Sequence, residues 1–274
     1  MFKKPELPVF DICVLIPCYN DLEGLVTSIN SINYDINRFV VLVVDDGSQQ
    51  AINKDWLYQR VPITVNIKIL RNEQNEGITN ALNRGLEYVY VNCLAVFVAR
   101  LDCGDVCTPN RFYRQLTFFK QHPSVDLVGS WCYFKNPLTG VCYKFTTPTQ
   151  HKAIRHSMYF RNVFIHPTVM WRAVSLKSFR YPRNYPHAED YGLFYDIVLN
   201  KKAAIIDDFL VTCEINPRGI SFQNRFDQLR SRLKVIRDYG TNKWWVAAGT
   251  LKLLLLMALP HQIVYNIKRR LFKV

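Results

Sequence analysis

The chain has 274 residues, 49% of them apolar, enough to bury a large core, which excludes a low-complexity or disordered protein. A formal charge of +13 points to an anionic partner, whether nucleic acid, a phosphorylated small molecule or a lipid surface. Eight cysteines would suit a secreted disulfide scaffold only in a shorter chain, and the opening MFKKPELPVFDIC has no apolar signal-peptide core, so a reducing cytoplasm is expected.

In chain order, 11–17 (DICVLIP) reads as a first strand, 22–32 as a helix and 39–48 (FVVLVVDDGS) as a second strand running into an acidic turn. VNIKIL (65–70) is a third strand, and 77–90 carries Ile78, Ala81, Leu82 and Leu86 at the spacing of one helical face. LAVFVA is a fourth strand that delivers Arg100 to Asp105, and a helix follows with Thr108 as its N-cap and Pro109 in its first turn. Such alternation predicts a parallel sheet with helices on both faces.

From about residue 125 the pattern changes. Paired strands flank Pro137 to Gly140, 163–171 (VFIHPTVMW) is extended, 188–201 is a helix opened by two acids, AAIID is a short strand, CEINPRGIS a loop, and a long helix runs from about 221 to 239. None of the close cysteine spacings, Cys13/Cys18, Cys103/Cys107 or Cys132/Cys142, is a CxxC pair, which argues against structural zinc. Cys13, Cys93, Cys132 and Cys213 lie in strand-like surroundings, where a free thiol acts as a small hydrophobe.

Ligands of open α/β sheets collect beyond the carboxyl ends of the strands. Two strands here end in acids, Asp45-Asp46 and Asp102/Asp105. Asp45 and Asp46 could simply form an Asx-type turn with Gly47 and Ser48. Two acidic strand ends in one sheet repel unless a ligand donor or a cation separates them, which turns the reading toward a site. A dinucleotide fold needs GxGxxG after the first strand, yet the first glycine is Gly24; a P-loop and the glycine-rich basic loop of a sugar nucleotidyltransferase are absent too.

VLIPCYND, VVDDGS, NEGITNALNRGLE, RLDCGDVCTPNRFYRQ, HPTVMWR and HAEDYGLFYDI stand in the order and near the spacing of family 2 glycosyltransferases, and the chain resembles that family over about residues 10 to 235. The likeness is to bacterial enzymes that build lipopolysaccharide, O-antigen or capsule. It implies an inverting, nucleotide-sugar-dependent enzyme of GT-A fold: a Rossmann-like, mostly parallel sheet with flanking helices, a smaller antiparallel acceptor-side sheet and C-terminal helices. It divides the chain into a catalytic domain at 1–240, with nucleotide-binding (1–124) and acceptor-binding (125–240) halves, and a tail at 241–274.

The resemblance also implies roles. Pro17, Tyr19 and Asn20 line the nucleotide cleft, and Asp46 accepts a hydrogen bond from uracil N3–H, which a carboxylate suits because it offers only acceptors. Gly77 brings backbone close to the nucleotide, and Arg100 and Asp102 begin the metal-and-donor segment. Related segments read D-x-D-D, with the middle acid on Mg²⁺ or Mn²⁺; here that position is Gly104. Either Asp102 and Asp105 flank the ion while Gly104 lets backbone or phosphate approach, or metal dependence is weakened; a retained cation is favoured, because carboxylates facing a diphosphate otherwise repel it. Asp105 could instead only stabilise the helix that follows.

Asp190 takes the place of the catalytic base that removes the acceptor hydroxyl's proton, and Glu189 holds a hydroxyl of acceptor or donor. Acids in a first helical turn are also ordinary dipole partners. His166 lies near the donor or acceptor, or is a structural histidine, and His187 is a loop residue at the cleft rim. Where many relatives carry a histidine, this chain has Arg218, whose fork of donors can neutralise a leaving diphosphate.

Residues 241–274 contain six Lys or Arg and no acid, with Trp244, Trp245 and a leucine cluster. The run LLLLMAL (253–259) is far short of the ~20 residues that span a bilayer, so the tail is expected to be a basic amphipathic segment that associates with an anionic membrane surface, with docking on the core as the alternative. The resulting expectation is transfer of a hexose, from UDP-hexose by analogy with the resembling enzymes, to a lipid-linked or cell-surface glycan at the cytoplasmic face of the inner membrane. A non-catalytic nucleotide-sugar-binding or scaffold member is the alternative, with Gly104 its best support; no RNA-binding signature, zinc knuckle or helix-turn-helix pattern supports nucleic acid.

Overall fold

The computed structural model describes residues 10–62, 64–92, 95–137, 139–215 and 224–259. Strands β1 (Phe10–Cys18), β2 (Phe39–Asp45), β3 (Asn66–Arg71) and β4 (Ala95–Arg100) pair in parallel in the order β3-β2-β1-β4. Helices α1 (Leu22–Asn30), α2 (Lys54–Tyr58) and α3 (Ile78–Asn92) make the crossovers. β2 is buried along its whole length, as a strand covered on both faces must be, whereas the edge strand β3 alternates exposed and covered residues.

The antiparallel part continues the same hydrogen-bonded sheet. β8 (Met170–Arg172) pairs antiparallel with β4 and with β6 (Leu127–Lys135). β6 pairs with β7 (Cys142–Phe145) and, in parallel, with β9 (Ala203–Glu214), whose far edge carries β5 (Val106–Cys107). Alternation of side chains along β1 and β2 divides the core in two. Cys13, Leu15, Val40, Leu42 and Val44 face α3, α5 (His151–Ser157) and α6 (Glu189–Asn200), while Ile12, Val14, Ile16, Val41 and Val43 face α1 and α4 (Arg111–Gln121). Two further helices, α7 (Arg225–Tyr239) and α8 (Lys243–Ala258), lie against each other and follow β9.

Three sequence expectations are corrected. The helix expected to be capped by Thr108 begins at Arg111, because the Thr108 hydroxyl is used on Asn110 Oδ1 and the Leu210 carbonyl beside β5. The 163–171 stretch is not one extended piece: a 3₁₀ turn at His166–Thr168 precedes the short β8. β9 continues well past AAIID to Glu214, through a register shift opposite Trp131 that absorbs its polar middle. The short helices α2 and α5 were not anticipated. Cys13, Cys132 and Cys213 are buried, as expected, whereas Cys93 lies outside the described residues.

Candidate active site

Strand order reverses between β1 and β4, and the ends of β1, β2 and β4 converge there, as the topological switch point of an α/β sheet requires. Pro17 lies beyond the last β1–β4 pair, Leu15 with Arg100, where β1 needs no ladder donor on that side. Exposed Tyr19 follows, then Asn20 in the left-handed region at φ 52°. The Asn20 amide donates to Ser48 Oγ at 2.9 Å, and its side-chain oxygen accepts from the Gln49 amide at 2.8 Å, so the β1 and β2 loops form one rim.

The two acids that end β2 do different work. Asp45 accepts from the Ser48 amide at 2.9 Å and pairs with Arg71, which makes it the turn-forming acid. Asp46 reaches across to the start of α3: Oδ1 accepts from Asn72 Nδ2 at 2.7 Å and the Glu76 amide at 3.0 Å, and Oδ2 from the Gly77 amide at 2.9 Å. A carboxylate has about four acceptor sites, so one on Oδ2 is left for a ligand donor. Gly77 has φ 86° and no described atom within 4 Å of where a Cβ would be, so backbone and open space meet there.

At the end of β4, Arg100 is wholly buried. It donates through Nη1 to the Leu15 and Leu101 carbonyls at 2.5 and 2.9 Å, through Nε to His166 Nε2 at 3.2 Å, and through Nη2 to Asp102. Among these partners Asp102 opens to solvent, its side chain 39% exposed. Burial alone would raise the Asp102 carboxyl, but the charge of Arg100 and its hydrogen bond outweigh it and hold the group below its ordinary value.

Asp105 is buried and accepts from the Glu214 amide at 2.8 Å. Burial, then the Asp102 charge, push its pKa well up. Gly104 between them has φ 88°, and a Cβ there would have only Glu214 Oε2 within 4 Å, at 3.8 Å. The extended β9 thus brings a carboxylate over the residue that lacks one. Among the described residues no group of three side chains converges as a ready-made ion site. Mg²⁺ is ordinarily held by one or two carboxylates with phosphate oxygens and water, so this donor set fits a cation that arrives with a diphosphate.

His166 Nε2 lies 2.7 Å from the Tyr181 hydroxyl and also takes the Arg100 Nε–H, so it is an acceptor. Burial, then Arg100, lower its pKa to about 3, which keeps the ring neutral. It is therefore a strut rather than a proton-transfer group. Asn83 of α3 clasps Tyr181 through both backbone groups at 2.8 Å, tying the helix that opens at Gly77 to the Arg100–Asp102 pair. His187 is in the left-handed region at φ 61°, and its carbonyl accepts from Gln228 at 3.2 Å, just ahead of α6.

α6 opens with Glu189 and Asp190. Asp190 Oδ2 accepts from Asn162 Nδ2 at 2.9 Å, and Oδ1 from the Tyr191 amide at 2.6 Å. Burial raises its pKa to about 6 against those bonds and the charge of Arg232 in α7. Glu189 is pushed up to about 7 by burial and then by Asp190, and its Oε2 is buried without a hydrogen-bond partner among the described residues. The Asp102 charge also raises both acids. Arg218 lies outside the described residues. Asn162, Tyr181 and Arg232 carried no local sequence signal of their placement; the signal for Glu214 was its position just before the NPRG loop, at the end of a β9 longer than the AAIID run suggests.

A family model described as Glycosyl transferase family 2 matches residues 13–177. The chain is 27% identical over 232 residues to the amylovoran biosynthesis glycosyltransferase AmsE of Erwinia amylovora, covering 82% of this chain and 84% of that protein. It is 28% identical over 193 residues to the O-antigen biosynthesis glycosyltransferase WbnJ of Escherichia coli, covering 70% and 72%. Its fold matches S. aureus TarS in complex with UDP-GlcNAc at a TM-score of 0.61 and 17% identity, over 89% of this chain and 72% of that one. It also matches the mannosyltransferase PcManGT of Pyrobaculum calidifontis, in complex with GDP-Man and Mn²⁺, at 0.58 and 15%, over 98% and 84%. With the family match spanning more than half of the chain and both strand-end acids at the switch point of a GT-A sheet, the chain belongs to glycosyl transferase family 2 and is a glycosyltransferase.

Proposed function

We propose that the chain transfers a hexose with inversion from a UDP-sugar to a hydroxyl of a lipid-linked or cell-surface glycan, in the biosynthesis of a bacterial polysaccharide, at the cytoplasmic face of the inner membrane. The observation that carries this reading is the pair Glu189-Asp190 at the start of α6: one buried acid oxygen without a partner among the described residues and one neighbouring carboxylate with its pKa lifted toward neutrality. The polysaccharide context is supported by AmsE and WbnJ, and a nucleotide-sugar donor by the ligands of TarS and PcManGT.

In this mechanism the base stacks at the rim formed by Tyr19 and Asn20, beside Pro17, and its N3–H is accepted by the open site on Asp46 Oδ2, while Gly77 lets backbone approach. Arg100, anchored by His166 and Tyr181, orients Asp102 toward the diphosphate. Glu189 Oε2 accepts from a sugar hydroxyl. Asp190, held by Asn162, takes the acceptor proton as that oxygen attacks C1 opposite the nucleotide, and a base with a pKa near 6 is ionised at neutral pH yet basic enough to accept it. A divalent cation, Mg²⁺ or Mn²⁺, would be held by Asp102 with Asp105 behind it and Glu214 in place of a side chain at 104, and would neutralise charge on the departing diphosphate. Arg218 is the protein's own cation for the same group.

Two experiments test the donor side. Asp46→Ala should weaken UDP binding in calorimetry by about 1.5–3 kcal/mol, the range for a hydrogen bond to a charged group; unchanged affinity would place the base elsewhere. EDTA should abolish transfer, added Mn²⁺ or Mg²⁺ should restore it, and Asp105→Ala should raise the metal concentration required. Activity that persists in EDTA and falls in Arg218→Ala would assign leaving-group stabilisation to the arginine, where loss of one stabilising donor can cost about 2.7–4 kcal/mol.

A further inference from the structure

α8 is apolar on both sides. Its inner face is pinned to the acceptor half: Gly249 lies so close to the backbone of residue 159 that a Cβ there would fall 2.0 Å from the Tyr159 carbonyl oxygen. Trp245 packs edge-on against His156 and Phe160, Asn242 caps the helix and donates its own amide to the Tyr159 hydroxyl at 3.1 Å, and Arg225 of α7 donates to the Leu256 carbonyl at 2.7 Å. The outer face holds Trp244, Leu251 and Leu255 at i, i+7 and i+11, with Leu254 beside them, exposed by 85, 60, 57 and 48%. A helix that is hydrophobic all round belongs in a core or in lipid, and among the described residues this one has protein on one side only.

Charge identifies the occupant. Lys243 and Lys252 flank the apolar stripe at about 100° per residue, α5 beside it presents exposed Lys152 and Arg155 with no acid, and residues 241–274 carry six basic side chains and none acidic. No described helix is long and apolar enough to cross a membrane. We infer that the outer face of α8 docks into an anionic bilayer, inserting Trp244, Leu251, Leu254 and Leu255 to the depth of the headgroup–acyl boundary. The docked segment is the one that reaches the base: Tyr159 lies under α8, and Asn162, three residues on, holds Asp190. Docking therefore turns the acceptor side of the cleft toward the lipid, which rests on the proposed function only in what it says of the acceptor.

The test needs neither donor nor acceptor, so its outcome is separate from that of the transferase reading. The full chain is mixed with vesicles of phosphatidylcholine alone or of phosphatidylglycerol and phosphatidylcholine, and bound protein is recovered by flotation. Wild type should float with the anionic vesicles, release at high salt in part, and show a blue-shifted tryptophan emission. Leu251→Ser with Leu255→Ser should reduce partitioning at least about tenfold, since binding scales with the apolar area inserted, while Tm and UDP affinity stay at wild-type values. Wild type that does not float, a double variant that floats equally well, or a wild-type dimer that the double variant converts to monomer would overturn the inference; the last would show a second copy on this face.

Discussion

Asp190→Asn is expected to lower transfer by at least about 100-fold, the lower range for loss of a general base, with UDP affinity unchanged by calorimetry. The amide keeps the size and, through its single oxygen, one of the two bonds from Asn162 and the Tyr191 amide, but it cannot take a proton. The pH profile adds a second signature. Because the Asp190 carboxyl is lifted to about 6, and only the ionised form acts as base, wild-type kcat/KM should fall as pH drops through that value. The residual activity of Asp190→Asn should lack this limb, and wild-type turnover in the variant would remove Asp190 from the chemistry.

The second large effect is on stability. Arg100→Leu should cost about 3 kcal/mol, from a buried carbonyl at Leu101 left without its donor and an Asp102 oxygen left without its cation. Asp102 keeps one edge in solvent, so the carbonyl and the lost packing of a fully buried side chain carry most of the cost. For a chain of this size the fall in Tm is on the order of 10 °C. Arg100→Lys should recover part of it, since one ammonium cannot reach four partners in four directions. A Tm within a degree of wild type in Arg100→Leu would show that this network is dispensable.

These two residues also mark what could be read from the sequence. β1, β2 and β4 were legible because they are continuous β-branched runs, and their acidic ends were legible because carboxylates after buried strands have few structural excuses. Asp190 was legible through family resemblance, not through its helix position alone. Arg100 was legible as part of a motif, but its burial was not: the sequence cannot show that its four partners come from Leu15, Leu101, Asp102 and His166, spread over more than 150 positions. β9 was cut short because Asp207 and Asp208 look like a turn, and with it went the placement of Glu214 above Gly104. The tryptophans, leucines and basic residues of the tail were legible as a membrane-surface segment; what the sequence could not show is that Gly249 seats one side of α8 on Tyr159 and leaves Trp244, Leu251 and Leu255 exposed on the other.

The central claim is that this cleft catalyses direct displacement at the anomeric carbon with Asp190 as base. Its most direct measurement is the anomeric configuration of the product formed by the purified chain from an α-linked UDP-hexose and a lipid-linked acceptor extract, read by NMR alongside UDP release. A β-linked product with one UDP released per sugar transferred is the predicted result; an α-linked product, or UDP released with no sugar transferred, would contradict it.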